Sequence, residues 1–413
     1  MRVRRRPPEG VDVLFACLRC ALLRNLIAIA LLTASIGIPG AFFTIVLPAM
    51  MRDGGASLFQ VGLVYVVWAP SALKWLWAPW FDALPRRPFG STFGWMRALI
   101  LAIALGFLAT LPLVERLILW PLVGLAVLLA AFSVTLQMLF AGWLMDDFDE
   151  RTRALANGVG VAGMVAGGVF GGGLLPLLAG RTDWTTAIAT ASVFVALTSL
   201  GTIGLKRLPA PPRAASASTR QFIETLRLLV ALPGSGYVLT MLALLSLSSG
   251  ADVTIPARLI DAGYDPAKTG VLLGMVATLA IIPVSGLTGF LIRLYGRSIV
   301  LSGIAGAKAA VLALLAWSGA AGAEAVAALS VLDFILSGAM TVALWQVFMG
   351  HAAHATSPIL GYSALTAADA AVRLFAGIGA GAVAMALGYA GMFGIAALLA
   401  GAACLIALRL PNS

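Results

Sequence analysis

Six charged residues stand inside stretches of sequence that are otherwise almost wholly apolar. They are Lys74, Asp252, Lys308, Asp333, Asp369 and Arg373. Burying a charge among apolar side chains is costly unless the charge has a partner, faces a wet cavity or reaches an interface. The chemistry open to such groups is attraction of a charged solute, or binding and release of a proton.

The four charges nearest the C-terminus differ in the partners that helical spacing offers them. Asp369 and Arg373 are four residues apart with the acid first, so they can pair with each other on one helix face. Asp333 has no charged residue at helical spacing, which favours it as a carboxylate that binds and releases protons. We expect Asp333, with Asp369 and Arg373, to supply proton coupling, and Lys308 to have a structural partner.

Lys74 and Asp252 each leave two interpretations open. Lys74 lies eight residues before Asp82, about 12 Å along a helix. Its long stem can carry the ammonium group to the interface or to a structural partner, or the ammonium group can attract an acidic solute. Asp252 precedes Arg258 by one and a half turns, so it can line a path or stand only at its mouth.

The composition defines what must position these residues. Of 413 residues, 61% are hydrophobic and 11% are charged, far from the balance of a soluble domain. Apolar windows predict an all-α membrane protein with twelve transmembrane helices. The windows are 26–50, 58–80, 93–112, 118–146, 155–179, 184–205, 235–258, 268–292, 298–318, 324–350, 361–388 and 390–408.

The longest polar break divides these windows into two sets of six. We expect an N-terminal half over 1–205, a cytoplasmic linker over 206–232 and a C-terminal half over 233–413. Most Lys and Arg residues then fall on the side of the N-terminus, which predicts that both termini are cytoplasmic. The net charge of +10 is therefore interpreted as topology, not as binding of nucleic acid.

Glycines recur every four residues in three of the windows, and each series clears one helix face for a close neighbour. The series are Gly163, Gly167 and Gly171; Gly270 and Gly274; and Gly377 and Gly381.

The loop after the second window, APWFDALPRR, resembles a cytoplasmic loop motif of the major facilitator superfamily. Asp82, Arg86 and Arg87 match that motif, whereas Ala83 and Pro85 depart from it. The resemblance implies a major facilitator fold and a latch between its halves, formed by these three charged residues with Asp146 at the end of span four.

Longer segments resemble one branch of that superfamily, which contains ferric-siderophore importers of the pyochelin and rhizobactin type and the muropeptide permeases of cell-wall recycling. These segments are LKWLWAPWFD, ERTRALANGVGVAGMVAGGVFGGGLL, LIDAGYDPAKTGVLLG and LTAADAAVRLFAGIGAGAVAMALGYAGMF. The resemblance implies an importer of a small ferric-siderophore complex in the bacterial inner membrane, working by alternating access and coupled to protons. A muropeptide permease and a drug or metabolite exporter are the alternatives.

The resemblance also assigns faces to the helices. In the superfamily, spans one, four, seven and ten line the cavity, and spans two, five, eight and eleven form the contact between halves. The substrate path is therefore expected to include Lys74, Phe43, Gln137, Trp143, Asp252, Asp333, Trp345 and Gln346. Aromatic residues of this kind can instead face lipid at the membrane boundary.

Other functions find little support in the sequence. It offers no set of nucleophile and base, haem ligands or flavin site, so we expect no enzyme and no cofactor. Cys17 with Cys20, and His351 with His354, each lack the second ligand pair of a zinc site. We expect no bound metal, a small-molecule substrate and protons as partners, and a monomer in membrane lipid.

Overall fold

The structure is a computed structural model. It describes residues 9–77, 91–116, 118–148, 150–203, 205, 224, 227–232, 234–320, 322–354 and 358–409. Every regular element within these ranges is a helix.

The helices before residue 206 are called the N-terminal helices. They are α1 (Glu9–Ala41), α2 (Leu47–Asp53), α3 (Leu58–Leu63), α4 (Ala69–Leu73), α5 (Thr92–Leu108), α6 (Leu111–Glu115), α7 (Leu119–Asp147), α8 (Glu150–Val169), α9 (Leu175–Arg181) and α10 (Trp184–Thr198).

The helices after residue 234 are called the C-terminal helices. They are α11 (Ser235–Ser248), α12 (Ile255–Asp261), α13 (Pro266–Gly270), α14 (Thr278–Tyr295), α15 (Arg297–Trp317), α16 (Ala323–Ala352) and α17 (Pro358–Ala407).

Within the described residues, ten helical stretches are long and apolar enough to cross a membrane. The last of them, Gly361–Ala407, has 47 residues, about 70 Å of helix against a hydrocarbon core of about 30 Å. At Gly388 the backbone leaves the helical region, with φ 70° and ψ 178°, and two helices meet there. The all-helical membrane fold is therefore confirmed, and the number twelve stays a prediction.

The second window is helical but broken. Residues 58–76 pass from α3 through a 3-10 turn, Val64–Trp68, into α4 and a second 3-10 turn, Lys74–Leu76. Ser57 begins this stretch with a capping box, in which its hydroxyl accepts from the Gln60 amide and the Gln60 side chain accepts from the Ser57 amide. We call residues 58–76 the broken helix.

A π-helical turn joins two consecutive helices at three places, between α1 and α2, between α8 and α9, and between α13 and α14. The turns are Phe42–Val46, Phe170–Leu174 and Val271–Ala277. Pro48 and Pro176 lie two residues beyond the first two turns. Proline has no amide hydrogen to donate to the preceding turn, and this loosens the regular hydrogen-bond ladder there.

Buried apolar side chains form separate clusters on the two sides of the predicted linker. One cluster comes from residues 28 to 205, with Val253 and Ala257 added. The other two come from residues 238 to 407, with Ile45 added. The domain boundaries themselves stay predictions, because most of the linker lies outside the described residues.

Two of the glycine series bring N-terminal and C-terminal helices together, as expected. A methyl group on Gly274 would overlap the backbone carbonyl of Gly172. A methyl group on Gly377 would overlap the ring of Tyr65, and one on Gly381 would lie 2.6 Å from the Leu58 carbonyl oxygen. The backbones at these points are therefore as close as helices can come.

The third series also has the expected close neighbour, but this neighbour is an N-terminal helix. Gly163, Gly167 and Gly171 pack against the backbone of α1, at Ala30, Ala34 and Ile38, and so lie within the N-terminal helices. Neighbouring residues on a helix point about 100° apart. Gly172, the next residue along, is the one that meets the C-terminal helices.

Candidate functional site

A buried lysine joins two carboxylates among the C-terminal helices. The Lys308 ammonium group lies 2.9 and 3.0 Å from the two carboxylate oxygens of Asp333 and 3.0 Å from Asp252 Oδ1. It also donates to Ser337 Oγ at 2.6 Å. The side chains of Lys308 and Asp333 are 0% exposed and that of Asp252 is 12% exposed. We call Asp252, Lys308 and Asp333 the acidic triad.

The acidic triad bears on three expectations. Lys308 has structural partners, as expected, and it lies at the centre of the cluster. Asp333 has no charged neighbour on its own helix, yet α15 supplies one from outside. Asp252 does not stand alone at a mouth, because it contacts Lys308. Spacing along one helix reveals only partners on that helix.

A second charged pair lies on α17, close to the broken helix. Arg373 Nε lies 3.1 Å from each carboxylate oxygen of Asp369, which confirms the expected pair. Ser246 also donates to Asp369, from α11. The Arg373 guanidinium carbon lies 5.9 Å from the centre of the Trp68 ring, a cation–π contact between the two sets of helices.

Lys74 also reaches across to α17. Its ammonium group donates to Thr366 Oγ1 at 3.3 Å, and no carboxylate pairs with it among the described residues. Its side chain is partly buried. The structure thus gives Lys74 a neutral hydrogen-bond partner, and the positive charge stays uncompensated by these residues.

Two of the expected path residues are core residues instead. Phe43 is 3% exposed, with its ring edge-on to Phe42 and Phe107. Trp143 is 1% exposed and packs edge-on against Phe93 and Phe148. Both lie inside the core of the N-terminal helices, so in this conformation they line no path.

The other polar and aromatic residues of the expected path differ from these two. Gln137, Trp345 and Gln346 are exposed on the helix surface. The exposed face of such a helix can meet lipid or an aqueous path, so their role stays a prediction.

The expected latch is not described. Asp82, Arg86 and Arg87 lie outside the described residues, and Asp146 is placed only by its backbone, in the last turn of α7. The latch stays a prediction.

The ends of α2 and α12 carry a contact that the sequence analysis missed. Arg52, at the end of α2, forms a bidentate ion pair with Asp261 at the end of α12, at 2.8 and 2.9 Å. Tyr389 donates to the same carboxylate at 2.7 Å, and the Arg258 guanidinium lies 5.4 Å from the Tyr389 ring centre. We call Arg52, Asp261 and Tyr389 the end clasp, because they join N-terminal to C-terminal helices.

Metal binding gains no support from the described residues. Within them, no group of three His, Cys, Asp or Glu side chains could hold a metal ion. His351 instead shares a 3.0 Å hydrogen bond with the hydroxyl of Ser235.

Comparison with known proteins identifies the class of this chain. The sequence profile described as the Major Facilitator Superfamily matches residues 27–365. The chain therefore belongs to the major facilitator superfamily.

Solved structures share its fold. A D-xylose-proton symporter superposes with a TM-score of 0.69 at 12% identity, covering 94% of this chain and 98% of that one. A bacterial homologue of the human lysosomal transporter Spinster, in an inward-facing and unoccupied conformation, gives 0.62 at 16% identity, with coverage of 94% and 97%.

Two curated relatives match part of this chain. The chain is 25% identical over 259 residues to the anhydromuropeptide permease of Escherichia coli K12, covering 59% of this chain and 51% of the permease. It is 28% identical over 155 residues to an uncharacterized protein of Haemophilus influenzae, covering 36% and 35%. The matched segments thus span about half or less of these relatives.

Proposed function

We propose that the chain is a proton-coupled importer of a small anionic solute that works by alternating access. The observation that carries this proposal is the acidic triad, in which two carboxylates share one ammonium group in a largely buried site. With all three groups ionised the triad has a net charge of −1. One bound proton would make it neutral, which lowers the cost of burying it.

The groups around the triad leave this imbalance in place. Arg373 and Asp369 form a pair that is neutral as a whole. The triad and this pair together therefore carry a net charge of −1, and a single proton is the simplest ion that could balance it.

A short stretch of chain connects the acidic triad to the end clasp. Asp252 lies on Ser249–Thr254, which continues directly into α12 and its terminal Asp261. A change in the charge of the triad thus acts at one end of a short segment whose other end is held by the end clasp. In this proposal the clasp opens and closes one end of the path, while the predicted latch works at the other.

The cargo proposed first is a ferric-siderophore complex, mainly because the glycine-rich fifth span and the segment of span eleven resemble the siderophore importers more than the muropeptide permeases. Lys74 supports an anionic cargo because its ammonium group has a neutral partner, Thr366, and no carboxylate partner among the described residues. An anhydromuropeptide, also an acidic solute, is the second candidate, and the similarity to the anhydromuropeptide permease favours it. We place the protein in the bacterial inner membrane as a monomer, with both termini cytoplasmic and the end clasp on the outer side.

Uptake into proteoliposomes tests the proposal. Vesicles containing the purified chain are given a pH gradient, acid outside, and either radioactive iron on a panel of siderophores that includes pyochelin, or a labelled anhydromuropeptide. We expect iron to accumulate with one class of siderophore and accumulation to collapse with the gradient. Accumulation of the muropeptide alone would replace the first cargo by the second, and gradient-driven efflux would contradict import.

A further inference from the structure

Two residues in contact where the broken helix meets α17 each carry a buried hydrogen-bond donor. Arg373 Nη2 and Trp68 Nε1 are both buried, and neither has a hydrogen-bond partner among the described residues. The guanidinium group of one lies over the ring of the other. Buried donors are nearly always satisfied in native proteins, so two adjacent exceptions call for an acceptor.

The free nitrogen of Arg373 is held in a fixed position. Arg373 Nε is bound to both oxygens of Asp369, and Ser246 in turn donates to Asp369. The guanidinium group is planar, so the hydrogen bonds of Nε to Asp369 also orient Nη2. A donor that is fixed beforehand loses little entropy when an acceptor binds.

The two donors come from different sets of helices. Trp68 belongs to the N-terminal helices and Arg373 to the C-terminal helices. An acceptor with two oxygens on one carbon could take one hydrogen bond from each donor, and it would then bridge the two sets. Such a group favours the conformation in which the broken helix and α17 are close together.

Lys74 extends the same surface along α17. Its partner Thr366 precedes Arg373 by seven residues, which is two helical turns or about 10 Å. Two cationic groups thus lie along one face of α17. One is the ammonium group of Lys74, which comes from the broken helix, and the other is the guanidinium group of Arg373, which α17 itself supplies.

Given the proposed function, we propose that Arg373 and Trp68 form a carboxylate-binding subsite of the transport path. A carboxylate of the cargo accepts one hydrogen bond from Arg373 Nη2 and one from the Trp68 indole. This assigns Arg373 to cargo recognition and leaves the proton to the acidic triad. Trp68 becomes a specificity residue of this subsite.

The test removes the indole donor and keeps the ring. Trp68→Phe retains an aromatic face for Arg373 and loses only the N–H donor and some ring area. We expect it to raise the KM for ferric pyochelin or for an anhydromuropeptide, whichever is transported, by about tenfold with kcat little changed. Trp317→Phe, at a tryptophan that is 89% exposed, is the matched control and should leave KM unchanged.

A second variant and a direct measurement guard against a folding defect. Arg373→Lys keeps a charge opposite Asp369 but removes the second nitrogen, and it should raise KM in the same way. In the wild-type protein, the indole N–H resonance of Trp68, assigned through Trp68→Phe, should shift when the transported probe is added.

The outcomes separate this proposal from the proposed function. If neither probe is transported by the wild-type protein, the proposed function fails. If a probe is transported, but Trp68→Phe keeps its KM and the indole resonance does not move, the two donors are satisfied by water only and the subsite is overturned.

Discussion

Arg52 and Asp261 stand 209 residues apart in the chain, and two parallel hydrogen bonds of 2.8 and 2.9 Å join their side chains. Arg52 ends an N-terminal helix and Asp261 ends a C-terminal one. Tyr389 adds a third hydrogen bond from the junction inside α17. The end clasp therefore fixes the relative position of the two sets of helices at this end of the molecule.

Removing the clasp should shift the protein toward the conformation that is open at this end. The side chains of Arg52 and Asp261 are 28% and 25% exposed, so Arg52→Ala should cost the closed conformation only about 1 kcal/mol, or about fivefold in population. Amide hydrogen exchange over Met50–Ala56 and Arg258–Tyr264 should rise accordingly. Arg181→Ala, at an exposed arginine that also ends an N-terminal helix, is the control, and equal exchange in both variants would rule out the clasp.

Adding a methyl group where backbones touch should open the same interface. In Gly274→Ala the new Cβ would overlap the Gly172 carbonyl, and backbone atoms cannot move aside as a flexible side chain can. We expect a cost of about 1–3 kcal/mol to the closed conformation, visible as slower transport and faster hydrogen exchange near both glycines. Gly289→Ala, in the same stretch but with open space around it, should behave as wild type.

Neutralising the triad carboxylate should uncouple transport from protons. Asp333→Asn removes the charge that a proton would balance, so uptake driven by a pH gradient should stop while exchange of cargo across the membrane continues. Glu324→Gln, an exposed acid in the first turn of the same helix, should keep gradient-driven uptake. Normal accumulation in Asp333→Asn would exclude this residue from coupling.

Removing the cation of the triad should instead destabilise the fold. Lys308→Met leaves Asp252 and Asp333 buried without a counter-charge, and losing one partner of a buried pair costs about 3–5 kcal/mol. The thermal unfolding temperature should fall sharply. Adding Asp333→Asn to Lys308→Met should restore part of it, whereas a double variant as unstable as the single one would contradict the charge argument.

The charge of Lys74 should strengthen the binding of an anionic cargo. We expect Lys74→Met to raise KM for the transported probe about tenfold, because a partly buried cation attracts an anion more strongly than one in water. Lys268→Met, at an exposed lysine paired with Asp265, is the control. An unchanged KM would favour a purely structural role for the contact with Thr366.

Much of the fold follows from sequence, because long apolar stretches leave a chain few alternatives in lipid. The charged residues of the site were found in the same way, since each one stands out against apolar neighbours. The sequence could not show which charged residues pair across different helices. Lys308 and Asp333 are 25 residues apart, and no helical periodicity connects residues on different helices.

The misassigned aromatic residues have a different cause. Phe43 and Trp143 lie on helices that are apolar on all sides, so no polar stripe indicates which face is turned toward a path. Packing decides the matter, and here both rings turn toward Phe107, Phe93 and other N-terminal core residues. The end clasp was missed for a related reason, because its three residues lie on separate helices and share no local pattern.

The π-helical turns bear on how the protein can be aligned and mutated. Each of the turns Phe42–Val46, Phe170–Leu174 and Val271–Ala277 adds roughly one residue to a helical turn, which rotates everything beyond it by about 100°. A cysteine scan that counts a uniform period through Val271–Ala277 would therefore assign the residues of α14 to the wrong side. A relative that lacks such a turn would need a one-residue gap within the span for its facing residues to correspond.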